Sequence, residues 1–303
     1  MSAAASSRAL SGVAFATLLS IALMMGGNHV AARLAFNDGV TVTTAVLVRS
    51  LVTALVVLVI LRVYRVPWQV APRQRLALLG IGVLIGAQSM CLYSAVARLP
   101  VALALLAFNA YPLWTALWAR VLYGERSDRR LLMAMPVILV GLALALDVSG
   151  AASGLGAADH WGRIGAGVAF ALTASAVFGL ALVLTQHGTA GVDGRVRTAV
   201  TMALVGLMAL VGVVAQGGPT LPATMSGWVG LVGLTALYGT AITIMFTVLP
   251  RLGVVGNSAI MNVEPIFALV LAWAVLGQAI APVQVLGGLI VVGAVIWLGL
   301  RKA

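Results

Sequence analysis

Long apolar runs, each about the length of a bilayer crossing, follow one another along nearly the whole chain. They fall at about 11–36, 40–62, 76–97, 100–122, 131–148, 164–187, 197–216, 227–249, 254–276 and 281–300. A spanning helix needs about 20 apolar residues, so each run predicts one membrane-crossing helix. Polar residues are confined to short links, several of which are only two or three residues long, such as 37–39 and 99–100. Links this short force neighbouring helices to run antiparallel. Gly39, Pro100, Gly253 and Pro282 punctuate them. The pattern predicts an all-α membrane protein of ten transmembrane helices.

Composition agrees. Of 303 residues, 62% are hydrophobic and 8% charged, against roughly 25% charged in a soluble domain. Ten spans leave no room for a sizeable soluble domain. Cys91 is the single cysteine, which excludes an intrachain disulfide and a cysteine metal site. The pattern implies neither metal nor cofactor. A net charge of +11 superficially suits nucleic acid, but the arginines occupy alternate links. One set comprises Arg62, Arg65, Arg73, Arg75, Arg126, Arg129, Arg130, Arg195, Arg197 and Arg251, with Arg8, Arg301 and Lys302 near the termini; Arg33, Arg98 and Arg163 lie on the opposite side. The positive-inside rule places the first set and both termini in the cytoplasm, and an even number of spans makes that assignment self-consistent. The partners implied are the lipid bilayer and a small-molecule substrate, with no nucleic acid. The abundance of Ala, Gly and Val and the near absence of Lys suggest a GC-rich bacterial gene, hence a multi-pass protein of the inner membrane, expected as a monomer or weak dimer. The first apolar run is too long for a cleaved signal peptide.

The chain repeats itself. Gly12-Val13-Ala14-Phe15-Ala16 recurs as Gly167-Val168-Ala169-Phe170-Ala171, and Arg98-Leu99-Pro100-Val101 as Arg251-Leu252-Gly253-Val254. In the second register Asn109 matches Asn262, Pro112 matches Pro265 and Gly124 matches Gly277. Two blocks in the same order predict two five-helix units, 1–150 and 151–303. Five is odd, so the second unit must enter the membrane from the opposite side. Inverted repeats of this kind are a transporter plan, with the substrate site near the midplane where the repeats meet. Mere bundle-building by duplication is the plainer alternative.

The residues from Tyr93 through Pro100, the run Phe108-Asn109-Ala110-Tyr111-Pro112-Leu113-Trp114, and the closing Gly124-Glu125-Arg126 resemble the EamA-type branch of the drug/metabolite transporter superfamily. Gly27-Asn28-His29 and Arg49 are also similar to that pattern, although Gln278 replaces Glu-Arg in the second half. The resemblance implies ten helices, both termini inside, and export of amino acids or other metabolites, with bacterial exporters of aromatic amino acids the most similar. Drug export by the same fold is the alternative. A membrane-embedded enzyme lacks support, because His29, His160 and His187 are scattered and form no nucleophile–base pair or metal cluster with the acids. A channel would more naturally gain its symmetry by oligomerising.

Two charges fall inside predicted spans. Glu264 sits near the middle of the ninth, where an acid costs on the order of 2.5–3.5 kcal/mol; Asn257, Met261 and Ala268 share its face by helical spacing. Arg49 lies at similar depth in the second span. It either pairs with Glu264 or a backbone carbonyl, or attracts a substrate carboxylate. The matching face of the fourth span carries Phe108, Tyr111 and Thr115, so one polar and one aromatic face would suit an amphipathic solute. Asn28, His29, Gln88, Ser89, Tyr93, Asn109, Trp114, Tyr238, Thr243 and Asn262 complete the candidate substrate-binding set. Pro112 and Pro265 are expected as kinks inside helices, and Gly82 and Gly86 as a packing seam.

Overall fold

A computed structural model of the chain describes residues 12–125, 129–150, 157–247 and 263–299. Among these residues the regular structure is entirely helical: α1 (Gly12–Asn37), α2 (Val42–Val63), α3 (Pro72–Arg98), α4 (Val101–Phe108), α5 (Tyr111–Tyr123), α6 (Arg129–Ala145), α7 (Ala157–Gly188), α8 (Gly194–Ala215), α9 (Met225–Thr247), α10 (Glu264–Leu276) and α11 (Pro282–Gly299). α4 and α5 together make one apolar span, Val101–Tyr123, so the eleven segments occupy the ten expected positions. Seven spans are long and apolar enough to cross a bilayer; apolar stretches of α6, α10 and α11 are shorter. Leu55, Val59, Val121, Val140, Val211, Val232 and Trp273 are among the large apolar side chains left exposed, as a protein solvated by lipid requires.

The fourth span differs from expectation. It is broken at Asn109–Ala110 rather than kinked at Pro112. Pro112 is the second residue of α5, where a missing N–H leaves no hydrogen bond unmade. Pro265 holds the same place in α10. The two helices are twins: each has 13 residues, begins after an αR residue (Ala110, Val263), and ends on a left-handed glycine, Gly124 at φ 68° and Gly277 at φ 64°.

The main packing pairs are α3 with α7, α1 with α9, α2 with α8 and α6 with α11, followed by α3 with α8 and then by α1 with α10 and α5 with α7. Every one joins the first half of the chain to the second, so the halves interlock. Small residues let the pairs close. A Cβ on Gly230 of α9 would fall 2.6 Å from the Ala35 nitrogen of α1, and Gly141 of α6 and Gly287 of α11 meet backbone to backbone. Gly82 and Gly86 form the expected seam, seating Leu204 and Met208 of α8.

Hydrogen bonds between links gather them at two ends. At the arginine-poor end, Thr41 N donates to Thr220 Oγ1 at 2.7 Å, Gln216 Nε2 to Thr41 Oγ1 at 2.8 Å, and Val101 N to Gln278 Oε1 at 3.1 Å. Asp38 Oδ2 accepts from Thr224 N at 2.8 Å; this bond holds the Asp38 carboxyl below the usual carboxylate range. At the arginine-rich end, Gln74 Nε2 donates to Ala190 O, and His187 Nε2 meets Glu125 Oε1, both at 2.9 Å.

Candidate functional site

The site begins at two glycines of α1. A Cβ on Gly26 would lie 3.0 Å from the Glu264 carbonyl oxygen and the Ala268 nitrogen, while one on Gly27 would press on Leu237 and Leu271. Without those atoms, the first turn of α10 comes directly against α1. One turn further along α1, His29 Nε2 stands 3.4 Å from Glu264 Oε1. Glu264 therefore occupies the first turn of α10 rather than mid-helix, where the N-terminal end of the helix dipole favours a negative charge. The earlier part of its expected span, 254–262, lies outside the described residues, as do Asn257 and Asn262.

Arg49 of α2 is 2% exposed. Ser89 and Tyr93 are four residues apart on α3 and share a face, and Arg49 reaches both. Its Nη1 donates to Tyr93 Oη at 2.9 Å and its Nη2 to Ser89 Oγ at 3.1 Å. Tyr93 Oη in turn donates to Asn28 Oδ1. The guanidinium also lies over two rings, 4.8 Å from the centroid of Tyr93 and 4.1 Å from that of Tyr238 in α9. The His29 and Tyr93 rings are 5.3 Å apart, so contacts run in series from Glu264 through His29 and Tyr93 to Arg49 and Tyr238. Arg49 and Glu264 are thus not a salt bridge. The proximity of Gly26 to α10 gives Glu264 to His29, and the i, i+4 pair on α3 takes Arg49.

Beside this polar cluster lies an aromatic one. Phe108 ends α4, Tyr111 starts α5, and Phe178 comes from α7. Their ring centroids are 5.2–5.7 Å apart in all three pairings. Tyr111 lies within electrostatic reach of Glu264, which links the two clusters. Phe178 was not anticipated, since an aromatic residue in an apolar span carries no mark of its own. Its neighbour Gly179 is the clue: a Cβ there would sit 2.8 Å from Thr115 N and 2.9 Å from the Trp114 Cβ, so α5 and α7 touch at this level as α1 and α10 do at Gly26.

Trp114 thus packs on α7. Asn109 is buried in the α4–α5 break, and its Nδ2 has no hydrogen-bond partner among the described residues. Gln88 is buried next to Ser89 on α3. Tyr238 Oη donates to Met202 Sδ at 3.7 Å, and Thr243 Oγ1 to Gly239 O in its own helix at 2.7 Å. A separate, small apolar cavity of about 40 Å³ lies between α4, α10 and α11. None of the residues lining it is charged.

The model of the EamA-like transporter family matches the sequence twice, over residues 10–146 and 165–300. The chain belongs to the EamA-like transporter family. The double match fits the twin helices α5 and α10, one in each EamA-like region. No curated protein sequence matches the chain. A solved crystal structure, described only as that of a protein, shares the fold with a TM-score of 0.60 at 19% identity, covering 96% of this chain and 99% of that one. EamA membership and the exposed apolar belt together identify a membrane protein of a transporter family.

Proposed function

We propose that the protein is a secondary transporter that exports small organic metabolites, amino acids foremost, across a bacterial cytoplasmic membrane by alternating access. The observation that carries this reading is the placement of Glu264. An acid whose side chain is 25% exposed sits at the start of a short helix, faces a single buried histidine, and adjoins the Phe108–Tyr111–Phe178 cluster. A cationic amine fits the carboxylate, and an apolar or aromatic side chain fits the rings. Aromatic amino acids satisfy both.

Alternating access rests on the two halves being inverted repeats, 1–150 and 151–303. Support comes from the packing pairs: exchanging each helix for its counterpart in the other half turns α1 with α9 into α7 with α3, and α1 with α10 into α7 with α5. The arginine distribution supports cytoplasmic termini, and the interlocked halves suit a monomer. The test is saturable flux of amino acids into liposomes holding the purified protein. Flux that rises linearly with concentration, or no flux above empty liposomes for any amino acid, overturns the reading.

A further inference from the structure

Arg49 is a buried cation with no anionic partner among the described residues. The chain has seven acidic residues. Glu264 is with His29, Glu125 with His187, Asp193 with Arg195, and no carboxylate among the described residues comes within pairing distance of Arg49. The seventh acid, Asp128, belongs to the link after α5 and lies outside those residues. The two hydrogen-bond partners of Arg49 are neutral hydroxyls, and its buried Nε has no partner among the described residues. The Oγ of the adjacent Ser50, also buried, likewise has none.

Removing a guanidinium from water without a counter-ion is strongly unfavourable, and the faces of Tyr93 and Tyr238 offset only part of that cost. What the rings do well is hold the guanidinium plane fixed. A fixed fork with an unused N–H edge is the arrangement that binds a carboxylate through two parallel N–H···O bonds.

We infer that Arg49 is the receptor for a carboxylate of the transported solute, with the Tyr93–Tyr238 clamp and Ser89 holding the fork in position. The inference deepens the transporter reading and rests on it for the route by which a solute reaches so buried a residue. It also narrows the substrate class. Glu264 and Arg49 stand at the two ends of the contact series that runs through His29 and Tyr93, so a solute bearing both an ammonium and a carboxylate matches both charged groups, and a purely cationic drug matches only one.

The test uses the purified full-length protein in detergent and matched compounds on several skeletons, aromatic, aliphatic and hydroxylated. Each amino acid is compared with its amide, its decarboxylated amine and its deaminated acid. Equilibrium binding should weaken about ten- to a hundredfold when the carboxylate is replaced by an amide, the range of one charge-assisted contact, on at least one skeleton. Arg49→Gln should abolish that discrimination while leaving the amide's affinity within a few-fold; Arg49→Lys should retain part of it. The comparison within the parent protein needs no variant and stands even if Arg49→Gln fails to fold. Equal binding of acid and amide on every skeleton, discrimination that survives Arg49→Gln, or a set in which no carboxylate binds overturns the inference. Carboxylate-selective binding without flux in liposomes would instead overturn the transporter reading and leave the receptor in place. Saturable flux indifferent to the carboxylate would do the reverse.

Discussion

At the residue scale, Glu264 is the side chain whose loss should separate function from folding. Gln keeps its shape and can still accept from His29, so Glu264→Gln should insert and melt within about 1 kcal/mol of the parent, while flux in liposomes falls at least about tenfold for loss of one charge-assisted contact. Parental flux would refute the role; failure to fold would make the His29 contact structural. Phe178 offers a second test. Aromatic pairs contribute about 0.5–1.5 kcal/mol beyond burial, so Phe178→Ala should raise KM about tenfold for aromatic solutes and less for aliphatic ones. An equal change for both would remove the triad from specificity. The two intramembrane charges were legible in the sequence because charge is conspicuous among apolar residues. Their partners were not. Spacing along a helix gives depth, but the azimuth that brings Glu264 to His29 depends on how closely α10 approaches Gly26, which only packing reveals.

At the element scale, each described helix falls on one of the expected apolar runs, yet the runs could not show that the fourth is two helices. A break that keeps both pieces apolar leaves the hydropathy unchanged. It should nonetheless show in mutants. Pro112→Ala should alter stability by only about 1 kcal/mol or less, as expected for a first-turn proline rather than a mid-helix kink. Gly179→Ala should cost about 1–3 kcal/mol, the range for overpacking, because its Cβ would press on the backbone of α5. Gly162, in α7, has nothing within 4 Å of its Cβ position, so Gly162→Ala should be neutral or stabilising by up to about 1 kcal/mol. Thermal melts of the three variants in one detergent check the order, and a Gly179→Ala melt equal to that of Gly162→Ala would contradict the close seam. Asp38, which accepts from Thr224 N just before α9, gives a pH-dependent counterpart. Its folded pKa is depressed, so its contribution is present above the unfolded value of about 3.9 and is lost as pH falls through the folded one. Asp38→Asn should flatten the acid limb of the melting curve and leave the neutral region alone.

At the scale of the whole molecule, the two matched blocks of sequence each have one copy in each of the two regions that the EamA-like family model matches, and the twin helices α5 and α10 likewise lie one in each. The orientation reading makes its own demand: reporter fusions after Arg75, Arg130 and Arg197 should report cytoplasm, and fusions within 149–159 the exterior; a cytoplasmic signal from 149–159 would break the ten-span assignment. The ends of the bundle also differ in the forces that close them. The arginine-poor end is laced by Thr41, Thr220, Gln216 and Gln278, whose hydroxyls and amides carry no net charge. Two close acid–base contacts among the described residues, Glu125 with His187 and Asp193 with Arg195, belong to the arginine-rich end. Dissolved ions weaken attraction between exposed charges, with a Debye length of about 10 Å at 0.1 M and about 3 Å at 1 M, and leave neutral hydrogen bonds largely untouched. Ionic strength therefore acts on one end of this protein in preference to the other: raising it should speed amide hydrogen exchange in residues 120–125 and 185–197 while exchange in residues 40–44 and 216–221, away from the Asp38 carboxylate, stays nearly constant.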